Sequence, residues 1–151
     1  MKKPLFVFAA LATFALSTGS VTLGSGEVSP GVIRLTTKEI KRNVVNLGPT
    51  RRGPGDVVVI RQLLYNKGIR TAPIGHSDMV CTYTGNRSRQ CNGTYSLPRG
   101  KIIVSGSVRY WEFYKLAIIG GTDLYADVRG SETATLYARG PRKEILVFRL
   151  V

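Results

Sequence analysis

Along most of this chain, apolar residues come in short runs or alternate with polar ones, and Gly, Pro and Asn punctuate them. Val57-Val58-Val59-Ile60 is a β-branched run leading to Leu63-Leu64-Tyr65, with Asn66-Lys67-Gly68 as the turn after it. From Lys101 to Val108 the even positions Ile102, Val104, Gly106 and Val108 form one face. Lys101, Ser105 and Ser107 form the other, with Ile103 as the exception. That is the period of two that a half-buried strand requires. Thr133–Tyr137 and Ile145–Leu150 predict two further strands, joined by a turn at Gly140-Pro141-Arg142-Lys143. Ile33–Leu47 is rich in Thr, Val and Ile without a 3.6-residue repeat, and reads as one long or bent strand. Gly48 to Gly55 is a loop by composition. The run Leu116-Ala117-Ile118-Ile119 stops in Gly120-Gly121, and paired glycines permit a tight corner and close backbone approach. Seven or eight short strands of this kind predict an all-β domain, either a closed antiparallel barrel or a sandwich.

The N-terminus changes the picture by assigning a compartment. Lys2 and Lys3 precede an apolar run from Leu5 to Leu16, then Ser17-Thr18-Gly19-Ser20. This is the layout of a secretory signal peptide. The expectation is a leader over residues 1–26, cleaved between 17 and 26, and a single secreted domain over 27–151. The apolar run is shorter than the ~20 residues of a membrane span, and no later segment is long enough to be one. A buried N-terminal helix is the alternative.

In an exported chain two cysteines suggest a bridge. Cys81 and Cys91 flank a polar, turn-rich stretch, and two strands meeting there would place them opposite each other. A hairpin disulfide is the main expectation, and a free thiol pair or a metal site the other. Metal needs more ligands, and His76 is the sole histidine. His76 falls in an expected turn. Ser77-His76-Asp78 is too close in sequence to form a triad.

The chain carries 22 Lys plus Arg against 9 Asp plus Glu, a net charge of +13. Non-specific attraction to polyanions follows. Arg51-Arg52, Arg87 with Arg89, and Arg139 with Arg142-Lys143 all fall in expected loops. Dedicated nucleic-acid binding would need exposed aromatics among the charges. Tyr110-Trp111 and Phe113-Tyr114 are the candidates, and they read rather as barrel wall or lining. The chain lacks H-E-x-x-H, a phosphate-cradling glycine loop and a G-x-S-x-G elbow.

Four segments in order carry a resemblance. Leu116 to Thr122, followed by Tyr125 and Arg129-Gly130, resembles the L-A-I-x-G-G-T-x-x-Y-x-x-x-R-G signature of dirigent proteins and allene oxide cyclases. Val45-Asn46-Leu47-Gly48-Pro49 with Gly53-Pro54-Gly55-Asp56 resembles the loop before that family's second strand. Leu63-Leu64-Tyr65-Asn66 is similar to its D-x-L-Y strand end, and Gln90-Cys91-Asn92-Gly93-Thr94 through Leu97-Pro98 to Ile102 to the Q-C-x-G-T-x-x-L-P-x-G-x-I segment of bacterial members. The resemblance spans Val45 to Leu150. It implies an eight-stranded antiparallel β-barrel, commonly a homotrimer, with a mostly apolar cavity open at one end. Members steer or cyclise reactive hydrophobic small molecules without a cofactor.

The same resemblance selects site residues. Arg129 of the R-G motif would hold a substrate oxygen in its hydrogen-bonding fork, or else lock the corner by pairing with Asp123 or Asp127. Tyr65 and Tyr125 would donate phenol hydrogen bonds, or else pack as barrel aromatics. Gln62 stands where the family carries a pocket aspartate. It would orient a ligand oxygen, but an amide does not exchange protons. Asp123 replaces a usual glycine, and is either a loop acceptor or a restored acid. Tyr110 and Trp111 would line the ligand site. Two function classes stay open. One is a cofactor-free cyclase or stereochemical guide. The other is a non-catalytic secreted barrel that binds a lipophilic ligand or anionic envelope polymers.

Overall fold

The computed structural model describes residues 31–49, 52–66, 72–85 and 87–151. Eight strands follow one another: β1 (Gly31–Val45), β2 (Val57–Tyr65), β3 (Gly75–Tyr83), β4 (Arg89–Leu97), β5 (Gly100–Val108), β6 (Phe113–Gly121), β7 (Gly130–Arg139) and β8 (Arg142–Leu150). Each pairs antiparallel with the next, and β8 closes on β1 from Gly31↔Leu150 to Lys38↔Lys143. The strand pattern allows a barrel or a sandwich; the structure is the barrel, as the family resemblance implies. The signal-peptide segment, the Lys67-Gly68 turn residues and Asn86 lie outside the described residues. No helix among the described residues is long and apolar enough to cross a membrane.

Inward positions alternate with outward ones along most of the sheet, as the pleat dictates, with register shifts between Glu39 and Lys41, Ile103 and Val104, and Leu136 and Ala138. In β5 the buried set is Ile102, Val104 and Val108, the face read from the sequence. The interior is filled rather than hollow. Tyr95, Ile102, Leu116, Leu146 and Phe148 are all at most 2% exposed, and Tyr95 meets Phe148 edge to face with centroids 5.0 Å apart. Such aromatic pairs contribute beyond their buried area.

Cys81 and Cys91 are register partners across β3 and β4 and form the hairpin disulfide, with Cα atoms 4.0 Å apart. Both are fully buried. Bridging residues ten apart restricts the unfolded chain, an effect of about 3 kcal/mol for a loop this size. Replacing both cysteines by alanine is expected to lower folding stability by about that much, read by urea denaturation, with the barrel circular-dichroism spectrum retained.

Antiparallel order gives the barrel two unlike ends. At one end β6 runs into a 3-10 turn, Asp123–Tyr125, before β7. The paired glycines have a direct cause here. A Cβ on Gly121 would strike the carbonyls of Tyr125 and Lys101, and one on Gly130, at φ +135°, the carbonyl of Arg149. At the other end lie the loops β1–β2, β3–β4, β5–β6 and β7–β8.

Several boundaries differ from the sequence expectation. Arg142 and Lys143 open β8, leaving Gly140-Pro141 as the turn, and β7 starts at Gly130. Arg89 is the first residue of β4 and only 2% exposed, not a loop residue. His76 is in β3 rather than a turn. Tyr110 and Trp111 sit in the β5–β6 loop, not in the barrel wall. Chain polarity explains the arginines. Each begins a strand on its inward parity, where a long stem can follow apolar surface.

Candidate functional site

The loop end of the barrel is a mouth lined with cations. A cavity of about 560 Å³ opens there, bounded by Arg42, Arg52, Arg139 and Arg142 and by the apolar bodies of Val58, Trp111, Leu136 and Pro141. Trp111 is its centrepiece. The Arg89 guanidinium carbon lies 3.1 Å from the indole centroid, and those of Arg42 and Arg142 lie at 5.1 and 5.2 Å. Indole is the best aromatic face for such cations. Arg142 also donates to the Trp111 carbonyl, so the loop is tied to β8 through backbone and ring together.

Two of the three guanidiniums have carboxylate partners. Arg42 pairs with Glu39 at 2.6 Å, and that hydrogen bond raises its pKa. Arg142 pairs with Glu144, also at 2.6 Å. Arg89 has none among the described residues. Its Nη1 donates to the Tyr83 hydroxyl at 3.2 Å, and its Nε has no partner. Burial, with Arg42 and Arg142 close by, lowers its pKa to about 10.

Below the mouth a polar network runs into the interior. Glu144, 1% exposed, accepts from Arg142 Nε at 2.8 Å, Gln62 Nε2 at 2.8 Å and the Tyr114 hydroxyl at 3.2 Å. Gln62 Oε1 accepts from Ser77 Oγ at 3.0 Å. Burial, then the nearby Glu144, raises the Tyr114 pKa well above its ordinary value. Deeper still, the Tyr95 hydroxyl donates to Glu132 Oε1 at 2.7 Å, while Glu132 Oε2 has no partner. Burial drives the Glu132 pKa up to about 8, so it holds a proton at neutral pH.

The sequence-selected residues do not converge. Gln62 is in the interior network and Trp111 lines the cavity. Tyr110 is 59% exposed beside Arg109 on the same loop. Arg129, Asp123 and Tyr125 are all at the opposite end. Arg129 Nη1 donates to the carbonyls of Ile119 and Val128, both at 3.1 Å, instead of pairing with Asp123 or Asp127. Asp123 accepts from Thr122 Oγ1 at 2.8 Å. Tyr65 is buried but falls on the opposite parity to Leu64, away from the interior cluster. Among the described residues, no group of three His, Cys, Asp or Glu side chains is placed to hold a metal ion.

The closed eight-stranded topology has counterparts among solved structures. A pyocyanin demethylase superposes with a TM-score of 0.70 at 21% identity, over 80% of this chain and 100% of that one. A pterocarpan synthase dirigent protein gives 0.62 at 13%, over 81% and 83%. A Diels-Alderase from Streptomyces koyangensis gives 0.62 at 15%, over 84% and 71%. The chain has the fold of the dirigent and Diels-Alderase barrels. No family model matches the chain, and no curated protein does. Within this dirigent-type barrel, Glu132, Glu144, Arg89 and Arg142 were not selected from the sequence. A signal was present: Glu132 and Glu144 share strand parity with buried Ala134 and with Leu146 and Phe148.

Proposed function

We propose that this dirigent-type barrel is secreted, seats a hydrophobic small molecule in the mouth and steers its cyclisation or coupling without a cofactor. The observation that carries this reading is the 560 Å³ cavity whose wall residue Arg142 is bonded to the buried Glu144–Gln62–Tyr114 cluster. That volume suits a small-molecule ligand. An apolar body packs on Trp111, Val58, Leu136 and Pro141. A carbonyl or enolate oxygen turns to the Arg142 donors that Glu144 and the Trp111 carbonyl leave over, which meet charge as it develops. Holding one folded conformer lowers the entropic barrier to ring closure. Secretion is supported by the leader-like N-terminus and the Cys81–Cys91 bridge. Arg129, Asp123 and Tyr125 are assigned to the structure of the closed end.

A second reading, a non-catalytic lipophile carrier, is favoured by Gln62, whose amide is engaged by Glu144 and Ser77. Native mass spectrometry of the protein from its own culture medium tests both. A discrete apolar compound on the barrel supports the pocket. Resupplying its precursor and finding it converted supports steering, and recovering it unchanged supports the carrier. Trp111→Ala is expected to weaken binding of that compound at least tenfold, as loss of an aromatic anchor does. Protein bare of any small molecule overturns the pocket reading. The same spectrum reads the stoichiometry, for which the family resemblance implies three. Val59 and Val80, cross-strand partners on the outer wall, supply exposed apolar surface for such contacts.

A further inference from the structure

Beside the large cavity is a small one of about 140 Å³, lined by Arg52, Arg87, Arg89, Arg109, Tyr83 and Trp111. Four of its six lining residues are arginines and none is acidic. Three of the four are exposed and screened by solvent, so the repulsion falls mainly on buried Arg89, where an anion would offset it. Arg89 makes the point sharply. It is 2% exposed, has no carboxylate partner among the described residues, and leaves Nε unpaired. Its stacking on Trp111 and its bond to Tyr83 fix the plane of the fork. Its two neighbours outside this cavity, Arg42 and Arg142, are already neutralised by Glu39 and Glu144.

The loop that brings Arg52 to the cavity is also built for it. Arg52 is held at φ +63°, a conformation that costs energy for a residue with a side chain. The Asp56 carboxylate holds the loop by accepting from the N–H groups of Leu47 at 2.8 Å and Gly53 at 3.0 Å. Those backbone donors, Leu47 foremost, keep its pKa below the usual carboxylate value.

We infer that this small cavity is a phosphoryl-binding site, for inorganic phosphate or the phosphate monoester end of a larger molecule. The chemistry favours a tetrahedral dianion over a carboxylate. A carboxylate satisfies one guanidinium fork, whereas phosphate offers oxygens in several directions to forks converging from several. The cavity takes one such group and little more. The larger cavity shares Arg52, Tyr83 and Trp111 with it, so an apolar body attached to the phosphate would lie there. That last step rests on the proposed function; the anion site does not.

Trp111 is the only tryptophan in the chain, so its fluorescence reports the site directly. The full chain is titrated at pH 8 and constant ionic strength with phosphate, sulfate, acetate and phenyl phosphate, and heats are measured in parallel. Saturable binding of phosphate and phenyl phosphate is expected, at least tenfold tighter than acetate. Arg87→Gln and Arg109→Gln, both at exposed positions, are each expected to weaken it at least fivefold. Arg149→Gln removes the same charge at the far end of the barrel and is expected to leave it unchanged. Phenyl phosphate binding more tightly than phosphate identifies the end of a larger molecule as occupant, and equal binding identifies the free anion. Equal weakening by all three substitutions, acetate binding as well as phosphate, or no saturable signal overturns the inference. If the small site fails while an apolar ligand still occupies the large cavity, the proposed function stands without it.

Discussion

Arg142→Met is expected to cost about 3–5 kcal/mol of folding stability, the largest single-residue effect we anticipate in this barrel. Glu144 is the reason. Its side chain is 1% exposed and its Oε1 lies 2.6 Å from Arg142 Nη2. Removing the guanidinium leaves a carboxylate buried beside Gln62, Tyr114 and its cross-strand partner Thr37, with only Arg42, already paired to Glu39, as a nearby positive charge. Thr37 Oγ1 is itself unpartnered. The Trp111 carbonyl loses its donor at the same time, so the β5–β6 loop is released. Guanidinium denaturation of the variant measures the loss. Arg142→Met with Glu144→Met in the same chain is expected to recover most of it, because an apolar pair of similar size needs no charge compensation. A single substitution within 1 kcal/mol of wild type would show that water or a neighbour neutralises Glu144.

Glu132 gives the second large effect, and its sign is set by the direction of its pKa. The ordinary value is 4.5 and burial raises it to about 8 in the folded barrel. Between these values the folded protein holds a proton that the unfolded chain has released. Stability contributed by this group is complete below pH 4.5 and is lost as pH rises through 8. The expected slope approaches about 1.4 kcal/mol per pH unit in that window, the linkage of one proton. Glu132→Gln keeps an acceptor for the Tyr95 hydroxyl and removes the proton. Thermal melts from pH 5 to 9 are expected to show the fall in wild type and a flatter profile in the variant. The variant is the more stable of the two at pH 9. Parallel profiles would mean that Glu132 is ionised throughout.

These two carboxyls also show why the fold was readable from sequence and the interior chemistry was not. Period-two alternation in Ile102, Val104 and Val108 survives any small boundary error, because one misplaced end residue does not change which face is buried. The disulfide followed from two cysteines in an exported chain and from the hairpin that sets them opposite each other. Glu132 and Glu144 sit just before the residues where the apolar pattern starts, Thr133 and Ile145. Reading strands from their apolar content ended each one residue short of its acid. Arg89 and Arg142 were lost the same way, since a charged strand start beside Gly, Pro or Ser looks like loop. The G-G-T corner was legible as geometry, because backbone approach at Gly121 admits no Cβ. Its chemistry was not, since Arg129 satisfies carbonyls that local sequence does not advertise.

The packed lower barrel has a kinetic and a steric consequence. Tyr95, Ile102 and Phe148 are fully buried and fill the barrel below the mouth, so under the proposed function a guest would lodge by one end and trail the other into solvent. Such a seat measures what the inserted end carries and ignores overall length. Members of a homologous series lengthened at the free end should bind alike, while branching beside Arg142 should exclude them. Under that function the cavity opens to solvent at the loop end, so residence time would follow from contact strength.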